Sequence, residues 1–325
     1  MNHEPFIDVS INGRPVNSAF YQRLVSATIT DAPGQEADRV QFKFDDDGNA
    51  IPLPALGAIA TVRFGFRDGG SQKMGSFRLE KPSIEGGTSG EFITMSGRPV
   101  DMRTDIKAPL SEHFDDKTIG DVVKELAGRH GFDAKISPEL ASIELPYMAR
   151  INQGTDDFLT RLADRFGAIF TPKDGKFLFL TPGSFSALTI SKFECESWSF
   201  EIEPRPLFGE TEAGWFDRAK GKVEYESHST GLKGPSKRLR NTFASQAEAK
   251  AAAKSEGNRL ARATGSGTLK MAGRPDIMAD RPIRTVDFRA EANGLWRCAS
   301  VDHTYDDTYT TSVSIEAPED GKERE

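Results

Sequence analysis

Ser245-Gln-Ala-Glu-Ala-Lys-Ala-Ala-Ala-Lys254 leads into Gly265-Ser-Gly-Thr-Leu-Lys-Met-Ala-Gly-Arg-Pro275, then Pro282, Arg284-Thr-Val-Asp-Phe-Arg289, Asn293-Gly294 and Leu295-Trp-Arg-Cys-Ala-Ser-Val-Asp-His303. The reading of this stretch decides the fold. Ser245 and Glu248 have capping-box spacing, in which a serine oxygen accepts the N3 backbone N–H and the N3 carboxylate reaches back to the cap. A helix is therefore expected over residues 245–264, with Ala247, Ala249, Ala251 to Ala253, Leu260, Ala261 and Ala263 carrying it past an unfavourable Gly257 to a stop at Gly265. Its small side chains allow close approach to another backbone. The glycine- and proline-punctuated segments that follow predict β-hairpins, the last pairing Trp296–Tyr305 with Tyr309–Ile315 across Asp306-Asp-Thr308.

Working outward, Ile7, Val9 and Ile11 alternate with polar residues before Asn12-Gly13, a half-buried strand entering a tight turn. Val25, Ala27 and Ile29, then Val40, Phe42 and Phe44, then Ala58, Ala60, Val62, Phe64 and Phe66 repeat the alternation. Phe77 and Leu79, and Phe92, Thr94 and Ser96, add two strands around Gly86-Gly-Thr-Ser-Gly90. Asp45-Asp-Asp-Gly-Asn49 lacks the sixth-position glycine and twelfth-position glutamate of an EF-hand loop, so a hairpin turn is expected there. From about Val100 the texture changes. Thr118 and Asp121 form a second capping box ahead of an Ile119, Val122, Val123, Leu126 stripe. Gly154-Thr-Asp-Asp157 opens another helix, with Phe158, Leu159, Leu162, Ala163 and Phe166 on one side and Gly167 as its stop. A hairpin around Lys173-Asp-Gly175 completes an α+β insert, and strand texture returns at Ser191.

The terminal pattern resembles the phage late control D protein family, the baseplate hub proteins of contractile tails, which are related to the hub module of type VI secretion spikes. Pro54-Ala-Leu-Gly57 before Phe64-Gly-Phe66 resembles the first barrel of such hubs; Thr155-Asp-Asp-Phe-Leu-Thr-Arg-Leu-Ala-Asp-Arg-Phe-Gly167 and Gly175-Lys-Phe-Leu-Phe-Leu-Thr-Pro182 resemble their insert domain. The resemblance implies a mainly β chain with an α+β insert: two β-barrel domains of tail-hub type plus a small α/β domain. The expected division is 1–104, 105–190 and 191–317, the last with the inserted helix 245–264, and a mobile tail at 318–325. The positions carrying the family signature are Gly57, Phe158, Leu162, Gly167, Gly265, Gly267, Gly273, Pro275, Trp296 and His303. Their glycines and prolines are read as conformational, and His303 as a surface or interface residue. By the same resemblance the chain is a homotrimer that joins the central tail spike protein to the tail tube or a tube-initiator protein, with tape-measure and baseplate wedge proteins as further neighbours. It would be made in the bacterial host cytoplasm and reside in the virion.

The 325 residues, 37% hydrophobic and 28% charged, fit a folded multidomain chain with a polar surface. No apolar run approaches the roughly 20 residues needed to span a bilayer, and Met1-Asn-His-Glu-Pro-Phe6 lacks the features of a secretory signal. Cys195 and Cys298 are expected as reduced, buried thiols. The net charge of −7 disfavours general nucleic-acid binding, and the basic run Lys233–Arg240, with no aromatic side chains interleaved, reads as a solvated connection ahead of the alternative of a phosphate contact. Glu201, Glu203, Glu210 and Glu212 are candidates for an acidic channel lining.

Nothing here predicts catalysis. There is no G-x-S-x-G elbow, and His3, His113, His130, His228 and His303 are scattered without metal-ligand spacing. The dispersed carboxylates mostly form the wet faces of strands. No catalytic, cofactor-binding or metal residues are assigned. The alternative function is a cell-wall-degrading enzyme or peptidoglycan-binding module of a tail, for which residues 118–136 resemble a LysM helix loosely.

Overall fold

The computed structural model describes residues 4–318 apart from 33–37, 50, 89, 101–103, 174, 182–185, 203–207 and 232. The expected tail at 318–325 thus falls almost wholly outside the described residues. The chain opens with β1 (Pro5–Ile11), a tight turn at Asn12 and Gly13 with φ of 50° and 77°, and the two-residue β2 (Arg14–Pro15). A short helix that no periodic pattern announces, α1 (Ser18–Arg23), is capped by the Asn17 side chain, which accepts from Phe20 N at 3.2 Å. Then come β3 (Leu24–Asp31), β4 (Arg39–Asp45), β5 (Ile59–Phe66), β6 (Gly70–Leu79), β7 (Ser83–Gly87) and β8 (Gly90–Pro99). Their inward faces enclose one core containing Val9, Ile29, Phe42, Phe44, Val62, Phe64 and Phe77. On β8 that inward face is Ile93 and Met95, the phase opposite to Phe92, Thr94 and Ser96.

The aspartate-rich turn is built differently from its expectation. It joins β4 to β5, which do not pair with each other, so it is no hairpin. Gly48 and Asn49 take left-handed φ values of 76° and 53°, and the Asp46 carboxylate accepts from Ile51 N at 3.0 Å.

The insert holds β9 (Leu110–Thr118), α2 (Ile119–Arg129), β10 (Asp133–Ile136), α3 (Pro138–Ala141), β11 (Glu144–Gln153), α4 (Thr155–Phe166), β12 (Ile169–Lys173) and β13 (Lys176–Leu180). Both bonds of the Thr118–Asp121 capping box are present. Gly167, at φ 62°, ends α4 in the left-handed conformation that glycine adopts without penalty. β9 pairs with β11, while β10, β13 and β12 form a three-stranded sheet in which β10 runs parallel to β13. The two longer helices, α2 and α4, bury Val122, Leu126, Phe158 and Leu162 with Phe114 and Phe177 in a core separate from that of the first half.

The remainder contributes β14 (Leu188–Ser191), β15 (Cys195–Ile202), β16 (Glu210–Asp217), β17 (Lys222–Ser229), β18 (Ser236–Phe243), α5 (Gln246–Arg262), β19 (Gly265–Ala272), β20 (Pro282–Val286), β21 (Gly294–Tyr305) and β22 (Tyr309–Glu316). The basic run read as a solvated connection is largely strand β18, paired in parallel with β16. Ser245 caps α5 by accepting from Glu248 N at 3.3 Å, but the Glu248 carboxylate reaches Ala244 N at 3.0 Å and not the backbone of Ser245. The alanine face of α5 lies on the β16–β18 sheet, with Ala249, Ala252 and Ala253 packed against Ala213. At Gly257 an added Cβ would sit 2.6 Å from the His228 ring, so the glycine that weakens the helix also permits this approach.

One 14-stranded sheet runs through both halves, in the order β15-β19-β22-β21-β3-β4-β8-β6-β5-β1-β2, with β20 and β14 branching from β21 and β7 from β8. Among the described residues no sheet closes into a barrel. The halves meet where Val301–Tyr305 of β21 pair with Ala27–Asp31 of β3. The strand order is also repeated. β3-β4-β8-β6-β5-β1 in the first half matches β15-β19-β22-β21-β20-β14 in the second in chain order, with one difference of sense: β1 runs antiparallel to β5, whereas β14 runs parallel to β20. Even the irregularities coincide: β3 has a bulge between Leu24 and Ser26 against β4, and β15 has one between Cys195 and Ser197 against β19.

Candidate assembly surface

The signature positions of the C-terminal half are tightly packed, Gly265 and Trp296 toward one end of β19 and Gly273 and His303 toward the other. At Gly265 a Cβ would press on the Trp296 ring at 3.2 Å; at Gly267 it would lie 2.6 Å from the Ser199 carbonyl oxygen; at Gly273 it would overlap the Tyr309 ring. All three glycines therefore serve close approach. Trp296 is buried and donates its indole N–H to the Ala292 carbonyl at 2.8 Å. Pro275 is half-buried in the loop after β19. Gly57, at φ 77°, makes the turn into β5 and donates its N–H to the Leu79 carbonyl at 3.3 Å, while Phe158, Leu162 and Gly167 belong to the insert.

His303 is a core residue, 1% exposed, where the sequence predicts a surface or interface position. Its Nε2 donates to the Ile277 carbonyl at 3.1 Å, because a carbonyl can only accept. That leaves Nδ1 to accept from Tyr309 at 3.0 Å or Thr311 at 3.2 Å. Burial pushes the ring's pKa down to about 4, against the opposing influence of the Ile277 carbonyl and of Asp31, Asp302 and Asp276. The alternation of β21 was the available signal: His303 shares the inward phase of Val301. Tyr309 packs against Phe64 and Phe66, so the same cluster ties β22 to the first half.

Burial raises both thiols, Cys195 to about 11, whereas a nucleophilic cysteine needs a lowered pKa. Cys298 is buried and Cys195 half-buried, both free. No group of three His, Cys, Asp or Glu among the described residues is placed to hold a metal ion. No helix among them is long and apolar enough to cross a membrane.

The surface is informative elsewhere. Across the junction, Thr28 and Thr304 hydroxyls meet at 3.3 Å and Thr30 donates to Asp302 at 2.6 Å, in a concave polar face that also carries Gln41, Ser96, Thr310 and Ser312. Of the proposed acidic set, Glu201 is exposed on β15 and Glu203 lies outside the described residues. Glu210 and Glu212 belong to the separate β16 sheet, and Glu212 pairs with Arg238 at 2.8 Å. They do not share one sheet face. Among the described residues β15 ends the large sheet, paired with β19 alone. Beside it lies a cleft of about 460 Å³ lined by Trp198, Phe200 and Phe288.

No family model matches the chain. It is 26% identical to the probable baseplate hub protein of Escherichia phage 186, covering 96% of this chain and 92% of that protein. To the probable baseplate hub protein of Escherichia phage P2 it is 25% identical, over 94% of this chain and 91% of that one. Among solved structures, the 43 kDa tail protein of prophage MuSo2 from Shewanella oneidensis superposes with a TM-score of 0.75 at 14% identity, covering 98% of this chain and all (100%) of that one. An Escherichia coli component of the type VI secretion system gives a TM-score of 0.59 at 12% identity, with 98% and 79% covered. Along nearly its whole length, then, the chain is similar to phage baseplate hub proteins, and its fold is like that of phage tail and type VI secretion components.

Proposed function

We propose that the protein is a structural hub of a contractile-tail baseplate, three copies of which form a ring or short tube between the central spike and the tail tube. The observation that carries this reading is the end-to-end similarity to baseplate hub proteins. The repeated strand order adds to it, since two like halves in each of three copies present six similar units around one axis. In this reading 1–104 and 191–317 are the two tail-hub barrels, 105–190 is the insert between them, and Gly273 and His303, both against Tyr309, support the junction that lets the halves act as one body. The virion baseplate is the place of action. The partners are a tail spike protein and a tail tube or tube-initiator protein, with tape-measure and wedge proteins nearby. Catalysis has no support in the raised thiols or the sealed imidazole, and a zymogram on purified peptidoglycan is expected to show no clearing.

Light scattering of the purified chain, alone and with its cognate spike, tests the central claim. Three chain masses are expected. A chain that stays monomeric across micromolar concentrations under both conditions would falsify it.

A further inference from the structure

Among the described residues the repeat within the sheet leaves two strand edges without the partners that their counterparts have. Aligning the halves through their paired bulges sets Ala27 of β3 against Trp198 of β15, and Ile29 against Phe200. Carried across the sheet, the register sets Phe42 against Leu269, Met95 against Val313, and Ile93 against Thr311. One strand further, Ile93 faces Ile84 of β7 and Thr311 faces His303 of β21, so β7 corresponds to the end of β21 that forms the junction. Inside the chain that end of β21 pairs with β3, placing His303 opposite Ile29 and Tyr305 opposite Ala27. Among the described residues the counterparts, β7 and β15, pair on one edge only, with β8 and β19 respectively.

From this correspondence we infer that β7 of one copy pairs with β15 of the next, reproducing between chains the β21–β3 junction found within each. The predicted register is antiparallel, with Ile84 opposite Phe200, Glu85 opposite Ser199 and Gly86 opposite Trp198. Three independent features fit. Open strand edges invite pairing and are normally covered, and among the described residues nothing pairs with either of these. The joint would bury two exposed apolar side chains: Ile84 is 64% and Trp198 44% exposed, whereas their counterparts His303 and Ala27 are 1% and 0% exposed. Size complementarity is kept with the roles exchanged, since Tyr305 faces Ala27 within the chain and Trp198 would face Gly86 between chains. The cleft lined by Trp198, Phe200 and Phe288 is where Ile84 would enter.

The joint is head-to-tail, with different surfaces on the two copies, and such contacts close into a ring when the rotation between copies allows. Closure at three copies rests on the hub reading above. The joint also extends the polar concave face from chain to chain, as Thr28 and Thr304 do within one.

Disulfide trapping between two differently marked chains tests it. Glu85→Cys and Ser199→Cys occupy the positions equivalent to Thr304 and Thr28, whose hydroxyls lie 3.3 Å apart. Each is made in a Cys195→Ser background, the chains are mixed and oxidised, and the products are run without reductant. A cross-linked dimer is expected in the mixture, reversed by reductant and absent from either chain alone. A Thr28→Cys, Thr304→Cys chain, forming a disulfide with no gain in mass, calibrates the geometry. Trp198→Asp, at a side chain exposed in the single chain, is expected to weaken self-association by roughly tenfold or more. A trimer that forms normally, fails to cross-link and ignores Trp198→Asp overturns this joint and leaves the hub reading standing. A wild-type chain that stays monomeric with its spike overturns both.

Discussion

His303 illustrates how one buried polar side chain can couple packing to pH. The ring is neutral in the fold, donating to Ile277 and accepting from Tyr309 or Thr311, and burial lowers its pKa from 6.5 to about 4. The unfolded chain therefore binds the proton more readily between these values. The sign follows: the contribution is whole above the ordinary value of 6.5 and is lost as pH falls toward about 4, on the order of 3 kcal/mol in all. His303→Gln removes the titration but leaves imperfect partners for the Ile277 carbonyl and the Tyr309 hydroxyl. Urea unfolding near neutral pH should show the variant less stable by about 1–3 kcal/mol. Near the lower pKa the difference should shrink or reverse. An unchanged difference at both pH values would mean that the imidazole does not titrate as its burial requires.

At the scale of elements, α5 shows a conflict between propensity and packing that only the neighbouring strand resolves. Alanine in place of Gly257 gains about 1 kcal/mol of intrinsic helix propensity. It also places a methyl group 2.6 Å from the His228 ring and 3.2 Å from the Thr211 hydroxyl, which accompanies a buried bond from Thr211 to the Ala253 carbonyl at 2.6 Å. Overpacking of this kind costs about 1–3 kcal/mol, so Gly257→Ala should lower the melting temperature in spite of the better helix former. A rise in melting temperature would show that His228 swings away freely. The same contrast explains what the sequence made legible. Caps and turns are local, so Thr118 with Asp121, Ser245 with Glu248, and the β21–β22 hairpin at Asp306 could be read from a few adjacent residues. The strand character of Lys237–Arg240 and the pairing of β3 with β21 depend on partners distant in the chain, and no local pattern fixes such a register. The duplicated strand order was hidden for a related reason. What repeats is the pairing, while the residues filling it differ: Ala27 against Trp198, Ile93 against Thr311.

For the whole molecule, the shared sheet makes the two halves one mechanical unit and sets the insert apart. β3 and β21 exchange backbone hydrogen bonds over five residue pairs, Ala279 N donates to the Asp31 carboxylate at 3.0 Å, and Tyr309 of β22 lies within the core of the first half. Neither half can open at this seam without exposing the other. The insert has its own core and touches α5 through narrower means: Arg165 pairs with the buried Glu248 at 2.5 Å, and Ser255 donates to the Asp164 carbonyl at 2.7 Å. Subglobal opening follows contiguous cooperative units. Hydrogen exchange read by mass spectrometry should therefore give the same opening free energy for peptides covering Ala27–Asp31 and Val301–Tyr305, despite their separation in sequence. Peptides from α2 and α4 should exchange with a different one. Glu248→Gln weakens the bridge to Arg165, and should lower the protection of the insert while leaving the β3–β21 pair unchanged. If β3 and β21 instead open independently of each other, the continuous sheet does not bind the halves into a single body, and a rigid ring segment is not what this chain supplies.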